Sequence, residues 1–151
     1  MPRDVAPGSG VLVVQSNGVV VTWGRSASGG IPVPTPVDLP GPALRVAVAG
    51  SLLGSFTGYA VLEDGTIAAW GANDEGQLGN GAMGASRALG TYPKPSVTPV
   101  RVTGLTDVAD IDAGNSHVVA VRRDGTVWAW GSRDDGALAA ATSSPRAAFG
   151  C

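Results

Sequence analysis

The sequence predicts an all-β chain, a partial β-propeller of about two and a half four-stranded antiparallel blades. Three observations carry this. First, the turn pairs Asn17-Gly18, Asp64-Gly65 and Asp124-Gly125 recur with separations of 47 and 60 residues, and the pairs Trp23-Gly24, Trp70-Gly71 and Trp130-Gly131 keep the same two separations. Two markers in one register define an internal repeat. Second, the strands VLVV, VVV, AVL and HVVAV are apolar on both faces, as a sheet sandwiched between similar sheets requires. Third, 23 glycines and 11 prolines without a triplet period call for many turns, and the chain shows almost no helical periodicity.

The elements follow in order. Asn-Gly or Asp-Gly between apolar runs is the strongest short-range hairpin signal, and a type I′ turn with positive φ at both central residues is expected there. Strands are therefore predicted at about 11–16 and 19–24, 58–63 and 66–71, and 117–122 and 126–131. A glycine-rich loop follows the hairpin: ANDEGQLGNG in the second copy and SRDDGALAA in the third, which aligns Gly76 with Gly136 and Leu78 with Leu138. A proline-rich connection and a further strand complete each unit, IPVPTPVDLP with LRVAVAG and PKPSVTPVRV with TDVADIDAG. The units run at approximately 8–50, 51–113 and 114–151; the last is truncated, with an irregular tail over 140–151.

Length and composition limit the function classes. At 151 residues, with 44% apolar and 15% charged residues, the chain is globular and of single-domain size. A net charge of −2 and no Lys/Arg stripe argue against nucleic acid as a direct partner. One cysteine, Cys151, rules out an internal disulfide. The opening MPRDVAPGSG has no signal-peptide core and no run reaches membrane-spanning length, so a cytoplasmic protein without a membrane partner is expected if this N-terminus is the native one.

The strings GNSHVVAVRRDGTVWAWGSRDDGAL and AVLEDGTIAAWGANDEGQLGNG resemble the repeat of the regulator-of-chromosome-condensation family. The likeness is carried in one copy by Gly114, His117, Ala120, Asp124, Gly125, Val127, Trp130, Gly131, Gly136 and Leu138. In another it is carried by Gly54, Ala60, Leu62, Asp64, Gly65, Trp70, Gly71, Asn73, Gly76, Gln77, Leu78 and Gly79. It covers residues 44–139 well and 10–43 loosely. The resemblance implies a seven-bladed propeller used mostly as a protein-binding platform, whose members include nucleotide-exchange factors for small GTPases and inhibitors of secreted enzymes. The first copy departs from the pattern: SASGGIPVP replaces Gly-Gln-Leu-Gly, and Gly10 and Thr57 occupy the places that match His117. Two and a half units do not close a ring of four to eight blades, so self-association or further blades are needed.

Most candidate site residues have a structural reading. Trp23, Trp70 and Trp130 hold a fixed place after each hairpin and are expected to pack in the core. Trp128 stands where Val21 and Ala68 fill the other copies, which makes it a candidate partner contact. The polar loop residues Asn73, Asp74, Glu75 and Gln77, with Arg133, Asp134 and Asp135 in the next copy, are the other contact candidates, because loops on a rigid frame carry recognition. His117 and Cys151 read as a framework residue and an incidental thiol. Asp110 and Asp112 share a strand face opposite Asp107, and one or both are expected to line the central channel if this is the inner strand of a blade; two carboxylates are too few for a hard cation. Gly76-x-x-Gly79-x-Gly81 lacks the Lys-Ser/Thr and the helix of a phosphate loop. No catalytic residues, cofactor or metal are therefore expected, and a protein partner of unknown identity is. The leading reading is a protein-interaction scaffold, not an enzyme; the alternative is an exchange factor or an enzyme inhibitor. A propeller glycosidase is the third reading, although DGTVWAWG lacks its paired carboxylates.

Overall fold

A computed structural model describes residues 1–8, 10–26, 29–50, 56–81, 95–132 and 142–149. Among the described residues, twelve strands form three four-stranded antiparallel sheets, each built from consecutive strands. The first holds β1 (Asp4–Ala6), β2 (Gly10–Val14), β3 (Val20–Ser26) and β4 (Gly29–Pro36). The second holds β5 (Ala43–Gly50), β6 (Phe56–Leu62), β7 (Ile67–Gly71) and β8 (Ser96–Arg101). The third holds β9 (Val108–Ala113), β10 (His117–Arg122), β11 (Val127–Gly131) and β12 (Thr142–Phe149). These sheets are three propeller blades.

The sequence repeat and the blade are one strand out of phase. The strand that ends each of the first two sequence units, β5 and then β9, is the first strand of the next sheet. The third blade also has its fourth strand: β12 pairs with β11 where an irregular tail is expected from sequence. An outer strand is held by its backbone ladder and does not need a two-faced apolar pattern, so composition gives little sign of it.

Burial explains the apolar pattern. In the middle blade all seven residues of β6 and all five of β7 are buried. Phe56, Ala60 and Leu62 join Leu12, Val14 and Val20 in one core, between blades one and two. Tyr59 and Val61 join Val118, Ala120 and Trp130 in a second core, between blades two and three. The flanking blades are covered on one side. In β2, Leu12 and Val14 are buried and Val11 and Val13 half-buried; in β10, Val118 and Ala120 are buried and Val119 and Val121 half-buried.

The hairpins correct the expected turn type. Gly18, Gly65 and Gly125 have φ of 82°, 79° and 84°, but Asn17, Asp64 and Asp124 do not enter the left-handed region. Gly18 N–H donates to the Gln15 carbonyl at 2.9 Å and Gln15 N–H to the Val19 carbonyl at 2.8 Å, a three-residue loop closed by a left-handed glycine. The acidic or amide side chain fixes this choice. Asn17 Oδ1 accepts from Val19 N–H at 3.1 Å, and Asp64 and Asp124 accept from Thr66 and Thr126 N–H at 2.9 Å. A side chain that caps the amide two residues on keeps its own backbone right-handed and leaves the positive φ to glycine alone.

The same glycine joins successive blades. The Gly18 carbonyl accepts from Ala43 N–H at 2.9 Å, and the Gly65 carbonyl accepts from Val108 N–H at 3.0 Å. First strands therefore lie side by side, β1 against β5 and β5 against β9. Asp4, Arg45 and Asp110 occupy one register position on them, opposite Val14, Val61 and Val121. Asp4 Oδ2 accepts from Val46 N–H at 3.0 Å, and Arg45 Nε lies 3.8 Å from Asp110 Oδ1. Asp110 and Asp112 are exposed on β9, whereas Asp107 precedes that strand with φ of 58°. Arg122 holds this turn: its Nε donates to the Thr106 carbonyl at 2.9 Å, and its guanidinium reaches Asp124 at 2.9 Å and Asp107 at 3.5 Å.

Candidate functional site

The loop after β7 begins where Gly71, at φ 114°, turns the chain out of the strand. Two of its polar residues then point inward. Asn73 is 2% exposed and accepts from Leu78 N–H at 3.0 Å, and Gln77 is 3% exposed and accepts from Glu75 N–H at 2.8 Å. Two buried side chains converge on the Gln77 carbonyl, Tyr59 Oη at 2.9 Å and Trp130 Nε1 at 2.8 Å. One donor comes from the loop's own blade and the other from the next. Leu78 is buried in the second core, and the Gly79 carbonyl accepts from Thr103 N–H and Oγ1 at 2.9 and 3.1 Å.

This arrangement divides the expected contact residues. Asn73 and Gln77 are internal: their side-chain amides accept from backbone N–H groups within the loop that an apolar residue would leave unpaired, and the backbone carbonyl of Gln77 fastens blade three to blade two. Asp74 is exposed and Glu75 half-buried. Trp128 is half-buried and leans on the second core, with its indole N–H 3.2 Å from Thr126 Oγ1. Arg133, Asp134, Asp135, Gly136 and Leu138, as well as Gly54 and Cys151, lie outside the described residues.

The framework residues hold equivalent positions. Gly10 pairs with Gly24, Thr57 with Gly71 and His117 with Gly131, so three different residues fill one place in the three blades. The His117 ring covers Gly114, where a Cβ would collide with it. Thr57 Oγ1 donates to the Ala72 carbonyl at 3.0 Å. Trp130 is 0% exposed, Trp70 5%, and Trp23 half-buried at the uncovered side of blade one. Tyr59, which sequence reasoning did not single out, meets Trp130 edge-to-face at a 6.2 Å centroid distance. Its one visible signal is a phenol in a strand otherwise without a polar aromatic residue. Burial pushes that phenol far above its ordinary pKa and keeps it a donor at all working pH.

The turn carboxylates are shifted the other way. Hydrogen bonds from the Thr66 hydroxyl, then from its backbone N–H, hold Asp64 below its ordinary pKa, and Thr126 does the same for Asp124. A carboxyl with a depressed folded pKa adds stability above the unfolded value, about 3.9, and loses it as pH falls through the folded value. The urea midpoint is therefore expected to fall on acidification below about pH 4, and the Asp64→Asn, Asp124→Asn double variant is expected to show a shallower fall. An equally steep fall in that variant would assign the acid sensitivity to other groups.

Among the described residues no cluster of three or more His, Cys, Asp or Glu side chains is placed to hold a metal, and no helix is long and apolar enough to cross a membrane. Comparison with known proteins agrees with the blade geometry. The Regulator of chromosome condensation (RCC1) repeat matches twice, over residues 64–121 and 108–137. Protein pim1 of Schizosaccharomyces pombe is 32% identical over 138 residues, covering 82% of this chain and 26% of its own length. Human E3 ubiquitin-protein ligase HERC2 is 33% identical over 144 residues, covering 87% of this chain and 3% of its own. The crystal structure of Prp20p from Saccharomyces cerevisiae superposes with a TM-score of 0.74 at 17% identity, over 97% of this chain and 38% of that one. Human WBSCR16 does so with a TM-score of 0.70 at 21% identity, over 91% and 35%. The chain thus spans less than two-fifths of each of these four proteins. Repeat register, interblade hydrogen bonds and these matches together place the chain in the regulator-of-chromosome-condensation (RCC1) repeat family.

Proposed function

We propose that this chain is a protein-interaction scaffold, an arc of propeller blades that works inside a larger ring. The observation that carries the reading is the contrast in burial between blades. The middle blade buries both faces of β6 and β7, whereas β2 and β10 leave Val11, Val13, Val119 and Val121 half-covered. Apolar faces of this kind are built to be covered by another sheet. Asp74, Glu75 and Trp128 are the partner-contact residues under this reading, together with Arg133, Asp134 and Asp135 of the following loop. Function in such a frame lies in its loops and not in the repeat itself.

Two structures of one similar protein involve partners: Prp20p is described with Gsp1p and histones, and in another structure it is bound to Kap60. They support a protein partner here and motivate the second reading, a guanine-nucleotide exchange factor, beside which an enzyme inhibitor stands as a further alternative. The ligase name belongs to HERC2, of which the match covers 3%.

Nucleotide release separates the readings. With purified small GTPases loaded with labelled GDP, a scaffold is expected to leave the release rate unchanged while still binding its partner saturably. Accelerated release would replace the scaffold reading with the exchange factor. Light scattering on the purified chain tests the ring: a discrete β-rich oligomer is expected if copies cover each other's flanking blades. A monomer that binds no partner would count against the scaffold reading.

A further inference from the structure

Blade one departs from blade two beside a tryptophan. Between blades two and three, the Gln77 carbonyl accepts the Trp130 indole N–H, Leu78 fills the adjoining core, and a Cβ on Gly79 would come within 2.8 Å of Trp130 Nε1. Trp70 holds the equivalent place against blade one, paired with Gly58 as Trp130 is with Val118. Blade one has no Gly-Gln-Leu-Gly loop, since SASGGIPVP stands there. In its stead, a slot of about 190 Å³ lies beside Trp70, walled by Ile31, Pro36, Val97 and Pro99.

Thr22 opens into this slot. It is 6% exposed, and its hydroxyl has no hydrogen-bond partner among the described residues. The register puts Thr22 opposite Leu12, where Ala69 stands opposite Tyr59 and Ala129 opposite Val119. Alanine therefore serves in the other two blades, and the unpaired hydroxyl is a departure peculiar to the blade with the slot. Buried polar groups left without partners are rare and costly. Of the other two threonines at the slot, Thr35 donates from Oγ1 to the Val33 carbonyl at 3.0 Å and Thr98 is exposed.

We propose that the slot is a docking pocket for a leucine-like side chain presented on a turn of a partner protein. The interface between blades two and three supplies the template. A partner carbonyl would accept the Trp70 indole N–H as the Gln77 carbonyl accepts that of Trp130, and Thr22 Oγ1 would accept a neighbouring peptide N–H. Asp38, an exposed carboxylate lining the slot, favours a lysine or arginine beside the leucine. This deepens the protein-binding reading above and rests on it, but its test is local to one indole.

The probe is the peptide acetyl-Lys-Gly-Gln-Leu-Gly-amide, titrated into the full ¹⁵N-labelled chain. The four tryptophans give four indole N–H resonances, and Trp70→Phe assigns the relevant one. That resonance is expected to move saturably while the other three stay. Replacing the peptide's leucine with alanine is expected to weaken binding about tenfold or more, from the methylenes no longer buried. Thr22→Ala copies the other two blades, so it is expected to raise the unfolding midpoint and yet weaken binding about three- to tenfold. A higher midpoint with undiminished binding would make Thr22 a packing defect and overturn its role. No saturable movement at Trp70, or equal movement of all four indoles, would overturn the pocket. A partner protein that binds without disturbing Trp70 would retain the scaffold reading and remove this one.

Discussion

Gly71→Ala is expected to destabilise the chain by about 2–5 kcal/mol, from a left-handed backbone at about 1–2 kcal/mol and overpacking at about 1–3 kcal/mol. Gly71 has φ of 114°, and a Cβ there would overlap the Phe56 carbonyl oxygen. That oxygen is fixed in place, because Ala72 N–H donates to it at 2.7 Å. Gly131 repeats the arrangement with φ of 101° and the Ser116 carbonyl, to which Ser132 N–H donates at 2.8 Å. The glycine of these two Trp-Gly pairs is thus the point where the hairpin's two ends approach backbone to backbone. Gly41→Ala is the matched control, since a Cβ there meets nothing within 4 Å; a change within about 0.5 kcal/mol is expected. Urea unfolding followed by far-ultraviolet circular dichroism measures both. Equal effects at Gly71 and Gly41 would refute the close-approach argument.

Trp130→Ala is expected to cost about 3–5 kcal/mol, the range for truncating a fully buried large aromatic side chain. The residue is 0% exposed, packs edge-to-face on Tyr59 and donates to the Gln77 carbonyl. Its loss removes the main fastening between blades two and three. Stacked repeats are stabilised by nearest-neighbour interfaces, so the third blade is expected to lose amide-exchange protection before the first two. Trp130→Phe keeps an aromatic ring and gives up the hydrogen bond. It is expected to cost about 1–2 kcal/mol, because Tyr59 Oη still satisfies the buried carbonyl. Uniform loss of protection over all three blades would show a single cooperative unit instead.

The hairpins, the Trp-Gly corners and the two-faced strands were legible because they rest on local chemistry. Asp64 and Asp124 cap the amide two residues on, and Gly65 and Gly125 take the left-handed conformation; both needs leave a mark on residue type at a fixed place. The turn class was not legible. Asp-Gly suits both a type I′ turn and the three-residue loop found here, and the carboxylate's choice of partner decides between them. The candidate contact loop divided for a similar reason. Asn73 and Gln77 look like surface residues in ANDEGQLG, but their partners are Leu78 N–H and Glu75 N–H, and the carbonyl of Gln77 serves Tyr59 and Trp130. Trp130 lies 53 residues away, a contact that no local pattern encodes.

By itself the sequence determined the repeat, the β class and the family, because a hairpin that must turn sharply, bury a tryptophan and bring backbones together restricts residue types wherever it occurs. Tertiary structure alone decided which strand joins which sheet, that β12 completes the third blade, and which polar residues face inward. It alone also showed that the missing loop of blade one leaves a slot beside Trp70, with the Thr22 hydroxyl unpaired among the described residues. The physical reason is range. Turn and corner geometry is settled within a few residues, whereas strand partnership, burial of an amide and an unfilled space depend on surfaces that meet only when blades stack.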